Sequence, residues 1–512
     1  MRDGFEVLPP ELASAARRPT PAAPCPPPAA SELDRAVAAA LHRLGDPGTG
    51  VALLAEGREA FTIRAAAARA AGRSLDLQYY AWHSDVTGRL LAREVLAAAD
   101  RGVQVRILLD DVFAIGNERR LAALDAHPRI AVRIFNGTRW RAFGLLGFAL
   151  ELALGGWHLN RRMHNKAWIA DGRLAIAGGR NLGDEYFDAA EAFNFRDLDL
   201  AIAGAAAREA SAVFERYWQS PLARGAGELS AARDARGGLP ALRRALEAAC
   251  RAPEAQAFLA TRPEDAGLGE ELGRRLVPLA EKAIRVVADP PEKARRGLGA
   301  RRRARAAGGL NPEVAEMLRG ARREALLISP YFVPGEAGLA LLLDLLRRGV
   351  RVSVVTNSLA ATDVVAVHGG YARYRRRLLE AGIELFELKH SGDEVASLFG
   401  SRGASLHTKA LVLDGRLVCV GSFNLDPRSA ALNTEMGVFV EHPVLAAGLR
   451  FEHARLADPT RSWRLALEEG RLAWTDRDAA GQVRVLWHEP GASLHRRAVA
   501  GLIRLLPVEA HL

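Results

Sequence analysis

The alternation of apolar and polar positions divides the chain into strand-like and helix-like stretches. Short apolar runs typical of buried strands occur at Leu75–Tyr80, Gly102–Asp110, Ala325–Tyr331 and Gly349–Asn357. Stretches rich in Leu, Ala and Arg precede the second and fourth runs. Strands that alternate with helices indicate α/β units around a buried sheet.

The pattern occurs twice, in the same order and with similar spacing. The three matched pairs of segments are 75–80 with 325–331, 102–110 with 349–357, and 163–181 with 406–424. An internal repeat of this kind predicts two homologous halves. We place a disordered Pro/Ala-rich tail at 1–44, the first half at 45–250 and the second half at 251–512.

The composition is that of a globular protein. Of the 512 residues, 49% are apolar and 25% are charged, which excludes a mainly disordered chain. Lys and Arg exceed Asp and Glu by 70 − 60 = 10, which favours anionic partners. The cations are nearly all arginine, so the excess charge alone identifies no partner. The three cysteines are far apart, which excludes a disulfide scaffold and favours a reducing compartment.

Membrane contact is predicted at the surface rather than through a spanning helix. No run of about 18 uncharged apolar residues is present, and the start of the chain lacks the apolar region of a cleaved signal peptide. Segment 143–157 is apolar with Arg and Trp flanks, so it is either a helix in a membrane interface or a buried core helix. The basic amphipathic stretch 494–506 and the Arg-rich loop 293–305 allow membrane or anion contact, or an ordinary surface role.

Each half contains a His-x-Lys-x4-Asp motif followed by small residues and an asparagine. The members are His164, Lys166, Asp171, Gly178, Gly179 and Asn181, and then His407, Lys409, Asp414, Gly421, Ser422 and Asn424. Residues two apart on a strand point the same way, so each His and Lys enter one site. The Asp-Gly-Arg turn returns the chain antiparallel and brings the asparagine back beside the histidine. Two copies with matching surroundings predict a catalytic pair.

With these motifs the chain resembles the phospholipase D superfamily and, more narrowly, the bacterial cardiolipin synthases of the C type. The resemblance runs from about residue 50 to the C-terminus and includes the blocks 75–85, 160–166, 178–187, 195–199, 331–334, 356–367, 421–436 and 505–509. It implies an α/β fold of two homologous halves, each a mixed sheet flanked by helices. The halves are expected to pack about a pseudo-two-fold axis and to share one active site.

The resemblance also implies two successive displacements at phosphorus. His164 is expected to attack and form a phosphohistidine, while His407 protonates the leaving alcohol and then deprotonates the incoming one. Lys166 and Lys409 are expected to neutralise the phosphate. The expected hydrogen-bond donors to the same oxygens are Asn181, Ser422 and Asn424. Asp171 and Asp414 complete the motifs and are expected to stabilise the turns rather than to take part in the chemistry.

Each catalytic histidine also needs a carboxylate on its other ring nitrogen. Glu435 lies 28 residues after His407 and is the candidate in the second half. Asp197 lies 33 residues after His164 and is the candidate in the first half, with Asp199 as the alternative. With lysines as fixed cations, we expect no metal and no other cofactor.

For the C-type cardiolipin synthases, the implied partners are phospholipids at a membrane surface. Phosphatidylglycerol accepts the phosphatidyl group. The implied donor in the C-type group is phosphatidylethanolamine, and in other cardiolipin synthases it is a second phosphatidylglycerol. We expect a peripheral protein on the cytoplasmic face of the inner membrane and no nucleic-acid partner; whether a helper protein is needed stays open. A phospholipid hydrolase, a nuclease with the same chemistry and a non-catalytic lipid-binding protein are the alternatives, and the intact motifs argue against the last.

Overall fold

The repeated pattern produces two large mixed sheets, each flanked by helices. The computed structural model describes residues 30–138, 140, 143–154, 157–191, 193–229, 238–260, 267–295, 308–390, 405–477 and 481–506. Over these residues the predicted α/β fold of two similar halves is confirmed.

The first half supplies the shorter sheet. Its strands are β1 (Thr49–Leu54), β2 (Ser74–Tyr79), β3 (Gln104–Asp110), β4 (Ile130–Phe135), β5 (Ala167–Ala170), β6 (Leu174–Gly178), β8 (Asp199–Gly204), β9 (Ala223–Gly225) and β10 (Val277–Leu279). Their order across the sheet is β10-β1-β8-β6-β5-β2-β3-β4-β9. β2, β3 and β4 run parallel to one another, whereas β5 and β6 form an antiparallel hairpin beside β2.

The second half repeats this order. Its strands are β11 (Ile284–Ala288), β12 (Glu324–Ile328), β13 (Arg351–Asn357), β14 (Glu384–Leu388), β16 (Ala410–Leu413), β17 (Leu417–Gly421), β18 (Met436–Glu441), β19 (Ser462–Glu468), β20 (Arg471–Arg477) and β21 (Val483–Leu486). They are arranged as β11-β18-β17-β16-β12-β13-β14-β19-β20-β21. The hairpin β16–β17 therefore occupies the position of β5–β6.

Helices cover the sheets and form the connections. They are α1 (Glu32–Arg43), α2 (Gly57–Ala70), α3 (Val86–Asp100), α4 (Asp111–Ala114), α5 (Glu118–Asp125), α6 (Gly144–Ala153), α7 (Ala207–Trp218), α8 (Ala226–Leu229), α9 (Gly238–Cys250), α10 (Pro253–Ala260), α11 (Leu268–Arg275), α12 (Leu310–Gly320), α13 (Gly335–Arg347), α14 (Val365–Tyr371), α15 (Arg375–Glu380), α16 (Pro427–Ala431), α17 (Pro443–Ala457) and α18 (Leu494–Leu505). Short 3₁₀ helices lie at Trp157–Asn160, Asp184–Tyr186, Glu281–Ala283 and Pro291–Ala294.

The two halves share a core and a small sheet. One cluster of buried side chains joins the sheets, and it includes Ile169 and Leu200 of the first half with Val418 and Val438 of the second. In addition, β7 (Phe195–Arg196) pairs in parallel with β15 (Ser405–Leu406), so each half contributes one strand. This pairing fixes the relative positions of the two motifs.

Residues 32–43, which we expected to belong to a disordered tail, form a helix. Ser31 and Asp34 close a capping box at its start, which satisfies free backbone donors. Leu33, Val37 and Leu41 are buried, and the helix packs on α11. The structure therefore begins before the predicted position at residue 45; residues 1–29 lie outside the described residues.

The change from the first sheet to the second falls later than the expected residue 250. β10 lies well beyond that residue, yet it pairs antiparallel with β1 at the edge of the first sheet. The second sheet begins with β11 at Ile284. The connection thus returns to the first half before it enters the second, a long-range pairing that no local composition signals.

Candidate active site

Each motif lies at the open end of a central β-hairpin. His164 and Lys166 directly precede β5, and His407 and Lys409 directly precede β16. Because the strands are short and antiparallel, the asparagine segments at the ends of β6 and β17 return to the same end. The predicted hairpin geometry therefore brings each histidine, lysine and asparagine together.

The motif aspartates lie at the opposite end of the hairpins. Asp171 and Asp414 have φ angles of 53° and 54°, a conformation that Asp tolerates better than most residues. Each carboxylate accepts backbone N–H bonds from the start of the adjacent strand: Asp171 from residues 72, 73 and 74, and Asp414 from residues 322, 323 and 324. These contacts fix the turns, and they keep both carboxylates away from the histidines.

Two further side chains hold the strands that lead into the motifs. Asp110, at the end of β3, accepts a bond from the backbone N–H of Met163 at 2.8 Å. Asn357, at the end of β13, accepts one from the N–H of Leu406 at 3.0 Å. The motif pattern alone identifies neither residue. The signal was present, because the matched segments 102–110 and 349–357 end at these two positions.

The histidine–carboxylate pairs cross between the halves. His164 Nδ1 lies 2.9 Å from Glu435 Oε2, and His407 Nδ1 lies 2.6 Å from Asp197 Oδ2. Sequence spacing had associated each carboxylate with the histidine of its own half, and the structure corrects this. The alternative residue, Asp199, instead binds buried Arg64 at 2.7 Å.

Backbone pairing between the halves explains the crossing. The N–H of His164 donates to the carbonyl of Thr434, the residue before Glu435, at 2.8 Å. Likewise, the N–H of His407 donates to the carbonyl of Arg196, the residue before Asp197, at 2.8 Å. Each motif is therefore hydrogen-bonded to the carboxylate segment of the other half.

The partners of His164 determine which ring nitrogen carries the proton. Its Nδ1 faces the carboxylate of Glu435 and the carbonyl of Ser422, at 2.9 and 3.1 Å. A carbonyl and an ionised carboxylate only accept hydrogen bonds, so Nδ1 must be the donor. The lone pair then lies on Nε2, which is the arrangement that a nucleophilic imidazole needs.

The residues beside the two carboxylates differ between the halves. The Ser422 hydroxyl donates to Glu435 Oε2 at 2.5 Å. Its proton is therefore not free for a phosphate oxygen, which differs from the role expected from the sequence. Gly179 is the corresponding residue beside Asp197, and a Cβ there would collide with the Asp197 carboxylate. A glycine with the shorter aspartate thus replaces a serine with the longer glutamate.

Burial weakens the charge of both lysines. Desolvation lowers the pKa of Lys166 to about 7 and that of Lys409 to about 8, although Glu435 and Asp197 oppose the shift. The Lys166 ammonium donates to the carbonyl of His164 at 2.6 Å, and the Lys409 ammonium donates to that of His407. An anion between the lysines would restore their charge, so the site is suited to a phosphate.

The same burial favours neutral imidazoles. It lowers the pKa of both histidines, and the charges of Lys166 and Lys409 act in the same direction. The pKa of His407 falls further, whereas Glu435 partly offsets the fall for His164. Burial raises the pKa of Asp197. Burial also acts to raise the pKa of Glu435, but His164 and Lys166 outweigh it, so the pKa of Glu435 is below its usual value.

Aromatic rings enclose the histidines, and the two asparagines have different surroundings. Tyr80 contacts His164 with ring centroids 5.1 Å apart, and Tyr186 contacts His407 at 5.3 Å. Asn181 donates to the Tyr186 hydroxyl at 2.9 Å and accepts from the N–H of residue 81. Asn424 is buried, and its side-chain oxygen has no hydrogen-bond partner among the residues described. Asn424 is therefore the asparagine more available to a ligand.

An exposed apolar helix face lies just before the first motif. Phe143 and Leu146 are 69% and 66% exposed, and Leu150 and Leu154 follow at helical spacing on the same face. Glu151 points inward and accepts from Thr138 at 2.5 Å. The described part of 143–157 is thus not a buried core helix.

The C-terminal helix α18 is half packed and half exposed. It contacts α14, whereas Leu494, Leu502 and Leu505 are exposed. Across the described ranges, no helix has both the length and the apolar character that crossing a bilayer requires.

In the part of the chain that the structure describes, two groups of side chains outside the pair of histidines come close enough to hold an ion. They are His83 with Asp85 and Glu185, and His368 with Glu387 and Glu489. In the first group, Asp85 already accepts two backbone N–H bonds. In the second group, Arg375 binds both glutamates. These contacts account for the clustering without an ion.

Comparisons with known proteins agree with this geometry. The family described as cardiolipin synthase, PLD-like domain, matches the chain twice, at residues 63–218 and 314–456. The chain is 39% identical over 460 residues to cardiolipin synthase C of Escherichia coli (strain K12), an alignment that covers 88% of this chain and 93% of that protein. It is 26% identical over 425 residues to a cardiolipin synthase of Geobacillus kaustophilus, covering 80% and 67% of the two chains.

A solved structure has a similar fold. The crystal structure of phosphatidylserine synthase from Haemophilus influenzae Rd KW20 superposes with a TM-score of 0.56 at 15% identity. The superposition covers 93% of this chain and all of that one.

Proposed function

The chain belongs to the family of cardiolipin synthases with phospholipase D-like domains, and from that premise we propose that it is a phosphatidyltransferase that makes cardiolipin from phosphatidylglycerol. The crossed pairs His164–Glu435 and His407–Asp197 are the observation that supports it most strongly. In each pair, a carboxylate from one half orients the imidazole from the other half. Lys166 and Lys409 supply positive charge beside the two imidazoles.

In the first step, the phosphate of the donor lipid lies between Lys166 and Lys409. The lone pair on His164 Nε2 attacks phosphorus, and the bond from phosphorus to the headgroup oxygen breaks. His407 gives its proton to that oxygen, so the headgroup leaves as an alcohol rather than as an alkoxide. The negative phosphate favours this protonated form of His407, because it offsets the lysine charges that otherwise oppose protonation.

In the second step, the phosphohistidine is transferred to the acceptor. His407 removes the proton from a glycerol hydroxyl of phosphatidylglycerol, and the resulting oxygen attacks phosphorus. The bond from phosphorus to nitrogen breaks, and His164 returns to its neutral form with Nδ1–H held by Glu435. Attack by water instead would give phosphatidic acid, the product of the hydrolytic alternative.

We propose a peripheral position on the cytoplasmic face of the inner membrane, with phosphatidylethanolamine as the donor. The exposed face of α6 supports membrane contact, since amphipathic segments with apolar side chains insert into the headgroup boundary. It is also only ten residues from His164 in sequence, so contact there would bring lipid close to the site.

The test is cardiolipin synthesis in a host strain that lacks its own cardiolipin synthases. The wild type, His164→Ala and, as a matched control, His488→Ala at an exposed histidine are expressed to equal levels. Mass spectrometry of total lipids should find cardiolipin with the wild type and the control, and none with His164→Ala. Growth with ¹³C-labelled ethanolamine headgroups then identifies the donor through labelled free ethanolamine.

Two results would contradict the proposal. Phosphatidic acid that rises without cardiolipin would make the protein a phospholipid hydrolase. No lipid change with well-expressed wild type would leave transfer to phosphatidylglycerol unsupported, and digestion of DNA by the purified protein would then favour the nuclease.

A further inference from the structure

A large apolar cleft lies beside the second active-site asparagine. Its volume is about 800 Å³, within the range of roughly 300–1,000 Å³ that is usual for ligand pockets. The walls come from α12, α13, the segment after β12 and the segment 423–431, and they include Leu318, Leu341, Phe332, Phe423, Leu425 and Ala430.

One wall of the cleft is formed by the segment that carries Asn424. Phe423 and Leu425, which line it, directly flank Asn424. Asp426, also in the wall, is one of the carboxylates whose charge opposes the fall in the pKa of Lys409. A molecule in the cleft would therefore lie against the segment that carries the active-site asparagine.

The first half fills the equivalent space with its own side chains. Counting from the two histidines, Phe187 corresponds to Ala430, and counting from the strand starts, Phe61 corresponds to Asn311. Phe61 packs edge-on against Phe187 and against Phe258 of α10, with ring centroids 5.7 and 5.0 Å apart. The corresponding positions in the second half are small or polar, which leaves the cleft open.

What remains of this space in the first half differs in chemistry. A recess of about 390 Å³ lies behind the Phe61 ring, and charged residues such as Arg93, Glu94 and Glu247 line it. Its lining comes from α2, α3, α9 and α10 rather than from the asparagine segment. The second-half cleft thus combines apolar walls with contact to the asparagine segment, whereas, among the residues described, this recess has charged residues in its lining and no contact with the corresponding segment.

We propose that this second-half cleft binds one acyl chain of the phospholipid whose phosphate reacts at the two histidines. The inference rests on the proposed function, which requires a hydrocarbon chain close to the phosphate. Aromatic rings fill the corresponding space in the first half, which indicates that the second-half cleft is suited to an apolar group. Segment 296–307 of the chain is a poor alternative, because five of its twelve residues are arginine and burial of an unpaired guanidinium is costly.

Dependence on acyl-chain length tests the proposal with purified full-length protein. Phosphatidylglycerols with acyl chains of six to eighteen carbons are presented in the same detergent micelles. Each additional methylene that enters the cleft should raise kcat/KM by up to about fourfold until the cleft is full.

Filling the cleft supplies the decisive variant. Ala430→Phe places a ring where the first half has Phe187, so kcat/KM should stop rising at a shorter chain. The ratio of kcat/KM for eighteen-carbon to six-carbon lipid should fall at least tenfold. Ala248→Phe, at an exposed position on α9, should leave the ratio unchanged. Ala315→Leu, from the opposite wall of the cleft, repeats the measurement and covers the case in which Ala430→Phe does not fold.

A photoreactive lipid provides a measurement that does not depend on turnover. Phosphatidylglycerol with a diazirine near the end of one acyl chain should label peptides from α12 or α13. Labelling elsewhere, or an unchanged chain-length ratio in folded Ala430→Phe and Ala315→Leu, would overturn the acyl-chain proposal. If the wild type turned over no lipid of any length, the proposed function would fail, while labelling of the cleft would still show lipid binding there.

Discussion

The two halves share their strand order but differ in what fills the space behind the asparagine segment. In the first half, Phe61, Phe187 and Phe258 close it with packed rings. In the second half, the same space is a cleft of about 800 Å³. The strand order and the hairpins that position the two motifs, which we call the frame, are thus repeated closely, whereas the side chains around each motif have diverged. The active site needs the same hairpin geometry in both halves, but it does not need the same side chains around them.

The largest effect should come from separating the roles of the two histidines. His164→Ala and His407→Ala should each lower lipid turnover by at least about 10⁴-fold. A donor with a p-nitrophenol headgroup needs no general acid, so His407→Ala should still release one p-nitrophenol per site and retain a covalent adduct. His164→Ala should release none. Rapid-quench measurement and mass spectrometry of the protein check both outcomes. A covalent adduct on the His164→Ala variant would instead make His407 the nucleophile and His164 the acid and base.

The crossed carboxylates predict the next largest effect. Glu435→Gln and Asp197→Asn should each lower turnover by about 10²–10⁴-fold, since loss of the orienting carboxylate misplaces the imidazole proton. With the p-nitrophenol donor, Glu435→Gln should slow adduct formation because it acts through His164. Asp197→Asn should slow only the transfer that follows. If Asp197→Asn slowed adduct formation and Glu435→Gln slowed only the transfer, each carboxylate would act on the histidine of its own half, which would contradict the crossed pairs.

The pH dependence should reflect the two buried lysines. As pH rises through about 7 and 8, Lys166 and Lys409 lose the charge that binds the phosphodiester. We expect kcat/KM to fall about tenfold per pH unit between these values and about a hundredfold per unit above them, because both charges are then lost. The fall in kcat should occur at higher pH, because bound phosphate stabilises both ammonium groups. Lys166→Arg keeps its charge and should move the fall in kcat/KM upward; a flat profile to pH 9 in the wild type would contradict the lysine assignment.

The exposed face of α6 belongs to the first half and gives a smaller effect. Phe143→Glu with Leu146→Glu should reduce turnover of phosphatidylglycerol vesicles about tenfold or more, since two apolar side chains can no longer enter the bilayer. Turnover of monomeric six-carbon lipid should change less than twofold. Phe451→Glu is the matched control: it is 72% exposed, and its neighbour Arg450 contacts Glu324 at the end of β12 remote from the site. Equal losses for both variants would argue against α6 as the contact.

The smallest effect on activity is expected at the motif aspartates. Asp171→Asn and Asp414→Asn should each lower the free energy of unfolding by about 1–3 kcal/mol, because charge-assisted bonds to backbone N–H groups are weakened. The loss should be larger for Asp171, which also binds the Ser31 hydroxyl at the start of α1. Urea unfolding measures this change. A loss of kcat beyond twofold in folded protein would assign the aspartates a part in the chemistry.

Much of the frame was predictable because it is repeated in the sequence. The matched segments fixed the α/β class, the two halves and the residues of each hairpin. The same alignment contained Asp110 and Asn357, which end matched strands, and the exchange of Phe187 for Ala430. These features needed only a comparison of one half with the other.

The parts that could not be predicted depend on contacts between distant segments. β7 and β15 are two residues long, too short to give a sequence signal, yet their pairing brings Asp197 to His407. A single bridge between Met163 and Thr434 does the same for Glu435 and His164. β10 joins the first sheet from beyond the expected boundary. The start of α1 had a local signal in Ser31 and Asp34, which the Pro/Ala-rich composition before it obscured.

The crossed carboxylates also have a consequence for synthesis of the chain. His164 leaves the ribosome long before its partner, since Glu435 follows it by 271 residues. The first half can fold as a unit while translation continues, but its histidine then lacks both the carboxylate and the acid–base partner. On the proposed mechanism, a nascent or truncated chain lacks these two groups, so lipid transfer is expected only once the second half has docked.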